Sequence, residues 1–339
     1  MQTQKINRIL VIQTASIGDV ILVTPVLEKL HLQYPHAQLD LLIKQGYESL
    51  FEGHPFIHEV WLWDKRKDKY KNLWSLIQQV RNRNYDLTVN VQRFFSTGML
   101  TAFSRSAYTI GFDKNPLSLF FSKRVKHSIQ AKGENMHEVD RNLLLVKHLD
   151  AKVVSRPKLY PTNQHYAKVS QFKTHGFICV APASLWFTKQ FPEERWVEFL
   201  QQVPPDIYVY LLGSASDFQL CERILLQSKH PNILNLSGKL SLLESAALMR
   251  DALMNYVNDS SPMHLCSSVN ARTTAIYCST VTAYGFGPLS SDAVVVETDE
   301  KLTCRPCGLH GHQSCPKKHF KCATGIEIGK LLNRLEIGK

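Results

Sequence analysis

RILVIQ-TASIGD-VILVTPVLEKLHLQY, residues Arg8–Tyr34, spells a strand, a loop and a helix in order. Arg8–Gln13 is a short run rich in β-branched residues, of the kind buried inside a parallel sheet. From Asp19 to Tyr34 the apolar residues Val20, Val23, Leu27 and Leu30 recur near helical spacing. Thr14–Asp19 therefore leaves the carboxyl end of a strand and opens a helix, at the edge where α/β sheets bind ligands. With Gly18 as its one glycine, the loop is neither a G-x-G-x-x-G dinucleotide loop nor a P-loop. Gly18 permits a close backbone approach. Asp19 puts a carboxylate at the helix start, where it either complements the helix dipole or does chemistry.

Outward from this unit the alternation continues. Leu39–Ile43, Glu59–Trp63 and Leu87–Val91 read as strands and Leu73–Arg83 as a helix. The pattern fades from Asp113 to His137, around Pro116 and Gly133, and Met136–Leu149 is again helical. Ala151–Thr174, with Pro157 and Pro161, reads as a polar linker. Alternation then restarts. Strands are predicted at Phe177–Ala181, Ile207–Leu212, Ile233–Leu236, Leu253–Val257 and Thr273–Cys278. Helices are predicted at Glu193–Gln202, Asp217–Gln227, Leu242–Arg250 and from Pro262. This is an α/β chain of two doubly wound domains, 1–160 and 161–323. Residues 324–339 are predicted to form a terminal helix packing back on the first domain, and the active site is expected in the cleft between the domains.

At 339 residues, 44% hydrophobic and 20% charged, the chain can bury two cores, which excludes a disordered or fibrous protein. No apolar stretch reaches the roughly 18–20 residues of a membrane span. Ile9–Leu27 is interrupted by Gln13, Ser16, Asp19 and Thr24, and it has no signal-peptide pattern. The reading is a soluble, cytoplasmic protein. The net charge of +11 is uneven: residues 1–150 carry 20 basic and 14 acidic side chains, 151–300 carry 12 and 13, and 301–339 carry 8 and 2. Two basic flanks suggest an anionic partner. Nucleic acid, an anionic membrane and a phosphorylated glycolipid all fit, as does a lysine-rich surface kept for solubility. Lys65–Lys69 and Lys123–Lys126 are the densest basic runs.

Two further constellations sit at predicted strand ends. After Ala181 a loop presents Ser184, Thr188 and Lys189 before Pro192 starts a helix, and lysine on such a loop suits a phosphate. Val257-Asn-Asp259-Ser-Ser-Pro262-Met-His264 joins another strand to a helix start, with Asp259, Ser260 and Ser261 as cap candidates. Near the C-terminus, Cys304-x₂-Cys307-x₇-Cys315-x₆-Cys322 carries His310, His312 and His319 among its thiols. Its spacing admits a zinc site or simply a packed basic loop.

The order of these pieces resembles the lipopolysaccharide heptosyltransferases, glycosyltransferase family 9. Ile9–Pro25 is similar to the family's opening signature, and Lys189-Gln-Phe-Pro-Glu-Glu-Arg-Trp196 to its K-x-W-P-x-x-x-W/F segment. Leu240-Ser-Leu-Leu-Glu244 resembles S-L-x-E, Asn258–His264 resembles the D-T/S-G-x-x-H loop, and Cys304-Arg-Pro-Cys307 the C-x-P-C tail of heptosyltransferase II-like members. Phe191 stands where tryptophan is commoner, and Ser261 replaces a glycine. Asn90–Gly98 matches the acceptor-side N-S-F-K/R-S run only loosely.

The resemblance implies a GT-B fold, two Rossmann-like domains facing across a cleft, with the acceptor bound by the first and an ADP-heptose donor by the second. It implies inverting transfer to the lipid A/Kdo-heptose inner core of lipopolysaccharide, at the inner face of the inner membrane. Asp19 would be the base, with Ser16, Gly18, Arg93 and Ser96 toward the acceptor. Ser184, Thr188, Lys189, Glu244, Asp259, Ser260, Ser261, Met263 and His264 would meet the donor. Glu244 would bind the ribose, and Lys189 with the Asp259 loop would stabilise the departing diphosphate. Without a D-x-D motif, no metal and no cofactor are expected. Glu244 as a plain helix-start acid and His264 as a packed core residue are the simpler alternatives. A same-fold transferase for another nucleotide sugar, or a zinc-dependent nucleic-acid-binding protein, are the rival functions. The absent glycine fingerprint disfavours a nicotinamide dehydrogenase.

Overall fold

A computed structural model describes residues 6–65, 68–128, 136–153 and 155–335. Arg66 and Lys67 of the first basic run, Gly133, and the last four residues of the terminal segment lie outside these. The chain divides into two compact units, 1–160 and 161–339.

The first unit is a parallel sheet of β1 (Arg8–Ile12), β2 (Gln38–Lys44), β3 (Ile57–Trp63), β4 (Leu87–Asn90), β5 (Tyr108–Phe112) and β6 (Lys123–Val125), in spatial order β3-β2-β1-β4-β5-β6. The second repeats it with β7 (Phe177–Ala181), β8 (Tyr208–Leu211), β9 (Ile233–Asn235), β10 (Met254–Asn258), β11 (Thr273–Ile276) and β12 (Ala293–Val296), ordered β12-β11-β10-β7-β8-β9. In both, the first and fourth strands are neighbours and the connections diverge to either side. Ile9 pairs with Leu39 and Leu87, and Val180 with Tyr256 and Leu211. That divergence is the topological switch point, where loops from adjacent strands part and leave a crevice.

Strand ends agree with the sequence reading to within a residue or two. The long first helix does not. It is two helices, Ile17–Leu22 and Thr24–Gln33. Pro25 has no N–H to offer the Ile21 carbonyl, and the Thr24 hydroxyl takes that carbonyl instead at 2.8 Å. The supposed linker also contains a helix, Asn163–Val169, started by a Thr162–His165 capping box and packed against Leu242–Arg250. Its apolar stripe is too thin to read, since only His165 and Val169 are buried. β5, β6 and β12 lie outside the predicted strands, β5 because Gly111 interrupts its run. A side chain there would strike the Phe121 ring.

The first core gathers Leu10, Ile12, Trp63, Ile77 and Tyr85, and the second Val180, Phe191, Trp196, Phe199 and Tyr256. Each such side chain contributes about 1.5–3 kcal/mol on burial. The terminal helix Ile328–Leu332, expected on the first domain, instead buries Ile328 and Leu331 in the second unit's core, joined by Leu335. The Tyr256 hydroxyl fixes it by donating to the Leu331 carbonyl at 2.9 Å. The terminal helix packs against helix Glu193–Leu200.

Candidate active site

In the second unit, the loops after β7 and β10 leave adjacent strands at the switch point. Asn258 holds them in place from full burial. Its side-chain oxygen accepts from the Phe191 N–H at 3.0 Å, and its amide donates to the Pro182 carbonyl at 2.7 Å. Lys189 and Asp259 thereby meet, Nζ to Oδ2 at 2.7 Å, and Thr280 Oγ1 donates to the same carboxylate oxygen at 2.6 Å. A cation is thus held beside the start of helix Ser261–Ser268, two features that favour an anion. Ser260 is the cap residue. Ser261 opens the helix without the positive φ that would favour glycine, so serine fits there unstrained. Phe191 is buried edge-on against Trp196 with ring centroids 5.2 Å apart, so the smaller aromatic keeps the core contact.

Other predicted donor residues are placed differently. Thr188 is buried, and its hydroxyl accepts from the His312 N–H at 2.8 Å and from Ser279 Oγ at 3.1 Å. It ties down the cysteine-rich tail. Met263 is fully buried, and its sulfur accepts from the Tyr277 hydroxyl. Its side chain is core. His264 is buried in the same helix. Ser184 is half-buried, with its carbonyl taken by Gln190 at 2.6 Å. Glu244 closes a capping box, accepting from the Ser241 N–H at 2.7 Å. The helix-start reading of Glu244 is therefore realised locally.

The tail is stitched to the same edge. Arg305 donates to the carbonyls of Cys278 and Thr280, both at 2.8 Å, and Cys307 N–H donates to the Ser279 carbonyl at 2.9 Å. Gly311 turns with φ 78° where a Cβ would press on Thr188 Oγ1 at 2.9 Å. Cys304, Cys307, Cys315 and Cys322 lie within electrostatic reach of one another. Burial first, then the neighbouring thiols, raise the Cys307 and Cys322 pKa values, Cys322 to about 11. Cys304 Sγ is 3.7 Å from His319 Nε2. Among the described residues, the tightest gathering of metal-type ligands is elsewhere, at Asp40, His58 and Glu59. There Tyr85 and Arg83 already engage the two carboxylates.

In the first unit, Ser16 caps helix Ile17–Leu22 and Asp19 returns the capping box. Asp19 Oδ2 accepts from Ser16 N–H at 3.1 Å and from Ser16 Oγ at 2.6 Å. Gly18 is buried within the turn. Lys65 reaches the same loop, its ammonium 2.6 Å from the Thr14 carbonyl, 2.9 Å from Thr14 Oγ1 and over the Trp63 ring. Burial, then Lys44 and Lys69, lower its pKa to about 8. The Thr14 hydroxyl donates to the Gln92 side-chain oxygen, the Gln92 N–H donates to Asn90 Oδ1, and the Asn90 amide donates to the Thr97 carbonyl and the Thr101 hydroxyl. Asn90 and Gln92 are buried braces, whereas Arg93 is exposed and Ser96 half-exposed.

Sequence reading missed Glu138 and Arg141. Arg141 is buried, pairs with Glu138, and donates to the Ser128 and Met136 carbonyls. Burial pushes the Glu138 carboxyl above its ordinary range. Arg141 pulls it back, and the charge of Asp19 raises it again. A second acid thus lies within electrostatic reach of Asp19. Its signal was the E-x-x-R spacing at a helix start.

Two parallel six-stranded sheets of the same Rossmann-like strand order have the architecture of a GT-B-type glycosyltransferase. The chain belongs to glycosyltransferase family 9 (heptosyltransferase), whose model matches residues 73–314. It is similar to lipopolysaccharide heptosyltransferase 3 of Escherichia coli, 23% identical over 78% of this chain and 81% of that one. It is also similar to lipopolysaccharide heptosyltransferase 1 of Pseudomonas aeruginosa, 22% identical over 88% and 86%. The solved structure of E. coli ADP-heptose LPS heptosyltransferase II shares its fold, with a TM-score of 0.76 and 21% identity over 97% of this chain and 98% of that one.

Proposed function

We propose that this enzyme transfers a heptose, with inversion, from ADP-heptose to the inner core of lipopolysaccharide at the inner face of the inner membrane. The acceptor hydroxyl oxygen attacks the anomeric carbon while the bond from that carbon to the diphosphate oxygen breaks. Asp19, oriented by its two Ser16 donors, takes the hydroxyl proton, a role worth about 10²–10⁴-fold. ADP departs with the bonding pair. Lys189 and the helix start after Asp259 stabilise its charge, and Glu244 meets the ribose. Lys65 and Arg93 suit an acceptor bearing phosphates and acidic sugars.

The observation that carries this reading is the convergence of Lys189 and Asp259 at a helix start on the switch point of the second sheet. The test is a donor panel: ADP-heptose, UDP-glucose and GDP-mannose with heptose-deficient lipopolysaccharide, following nucleotide release and product mass. Transfer confined to ADP-heptose supports the reading. Transfer from a UDP- or GDP-sugar alone would replace the donor.

A further inference from the structure

The first unit carries a cluster of large apolar side chains that its core does not use. Phe94 is 60% exposed, Phe95 56%, Leu119 77% and Phe120 71%. They come from two segments bound to each other, the start of helix Phe95–Ala102 and the 3₁₀ turn Ser118–Phe120. Asn115 makes the join. Its amide donates to the Gln92 and Phe94 carbonyls at 3.2 and 3.0 Å, while its oxygen accepts from the Leu117 N–H. Gly98 lets the helix sit directly on this turn, since a Cβ there would collide with Asn115 Oδ1.

The segment that carries these side chains is strongly cationic. Between residues 87 and 128 stand Arg93, Arg105, Lys114, Lys123, Arg124 and Lys126 against one acid, Asp113. That carboxylate is engaged locally by the His127 N–H at 2.9 Å. Exposed aromatic and aliphatic side chains within a basic field match the boundary of an anionic bilayer, where rings settle at headgroup depth and lysines and arginines meet phosphate. A second copy of this chain fits worse, because self-association would bring two such positive fields together.

We propose that Phe94, Phe95, Leu119 and Phe120, with the flanking Arg93, Lys114, Arg124 and Lys126, form a monotopic membrane-docking face that seats the enzyme on anionic lipid. The proposal rests on the reading of a membrane-borne acceptor, which it deepens, yet lipid binding can be measured without donor or acceptor.

The experiment is co-sedimentation of the full chain with phosphatidylcholine vesicles and with vesicles containing about 30% phosphatidylglycerol, at low and high salt. Wild type should bind the anionic vesicles at least tenfold more tightly than the neutral ones, and less tightly in high salt. L119S/F120S and R124E/K126E should each lose at least tenfold, with unchanged melting temperature and unchanged turnover of a delipidated, water-soluble acceptor. Equal binding by wild type and both variants would overturn the proposal, as would no binding by wild type. So would a dimer that L119S/F120S dissociates in the absence of vesicle binding. Failure to turn over the soluble acceptor with vesicle binding intact would sink the heptose-transfer reading and leave the docking face standing.

Discussion

Replacing Lys189 by methionine removes one charge while keeping a side chain of similar length. Lys189 Nζ lies 2.7 Å from Asp259 Oδ2, and both side chains are largely buried. If the ammonium also holds the ADP diphosphate, a charge-assisted hydrogen bond of about 1.5–3 kcal/mol is lost. That corresponds to roughly 10–150-fold weaker ADP binding. A second effect acts on the fold, because Asp259 keeps Thr280 but loses its countercharge. Breaking a buried pair costs about 3–5 kcal/mol, and the partial exposure of Lys189 favours the lower figure. The melting temperature should then fall by about 6–12 °C. K189M/D259N separates the effects, since it removes the orphaned charge without restoring the phosphate contact. Calorimetric titration with ADP should show weak binding in both variants, with the melting temperature largely recovered in the double one. Wild-type ADP affinity in K189M would refute the reasoning. Affinity restored in the double variant would mean that Lys189 only neutralises Asp259.

Asn258→Ala leaves the Phe191 N–H and the Pro182 carbonyl without their partner, so urea denaturation should show a loss of about 2–4 kcal/mol, and no loss would remove Asn258 as the brace. Gly311→Ala, at φ 78° and against Thr188, should cost about 1–2 kcal/mol and speed proteolytic cutting between residues 304 and 319, whereas an unaltered cleavage rate would argue against the tail being pinned there. Lys65 has its pKa lowered to about 8 by burial, while in the unfolded chain it keeps its proton to about 10.4. Between those values the unfolded state binds more protons, so wild-type stability relative to K65M should rise with pH, and a flat difference would contradict the lowered value.

The alternation of Arg8–Tyr34 carried the parallel sheets because buried strands and amphipathic helices have distinct periods, and strand ends named the Lys189 and Asp259 loops directly. What escaped depends on partners distant in sequence. Thr188 reads as an exposed loop hydroxyl until His312, 124 residues later, takes it. Gly111 reads as a strand breaker until Phe121 occupies the space where a side chain would stand. Met263 follows a strand end and a proline, yet its helix turns it into the core under Tyr277. Glu138 and Arg141 fall inside the helix read at Met136–Leu149, where an E-x-x-R pair looks like an ordinary surface salt bridge, and their burial within reach of Asp19's charge is what singles them out. Pro25 is a local signal, since its missing N–H splits the first helix.

Asp19→Asn tests the central claim most directly, because the residue closes a capping box and is also assigned the proton. Asparagine can still accept from Ser16 N–H and Ser16 Oγ, so the helix start and the melting temperature should hold, as should ADP affinity. It cannot serve as the base. Steady-state transfer of heptose from ADP-heptose should therefore fall by ~10²-fold or more in D19N. Turnover close to wild type, with or without a small loss of stability, would contradict the account and leave Asp19 as a helix cap.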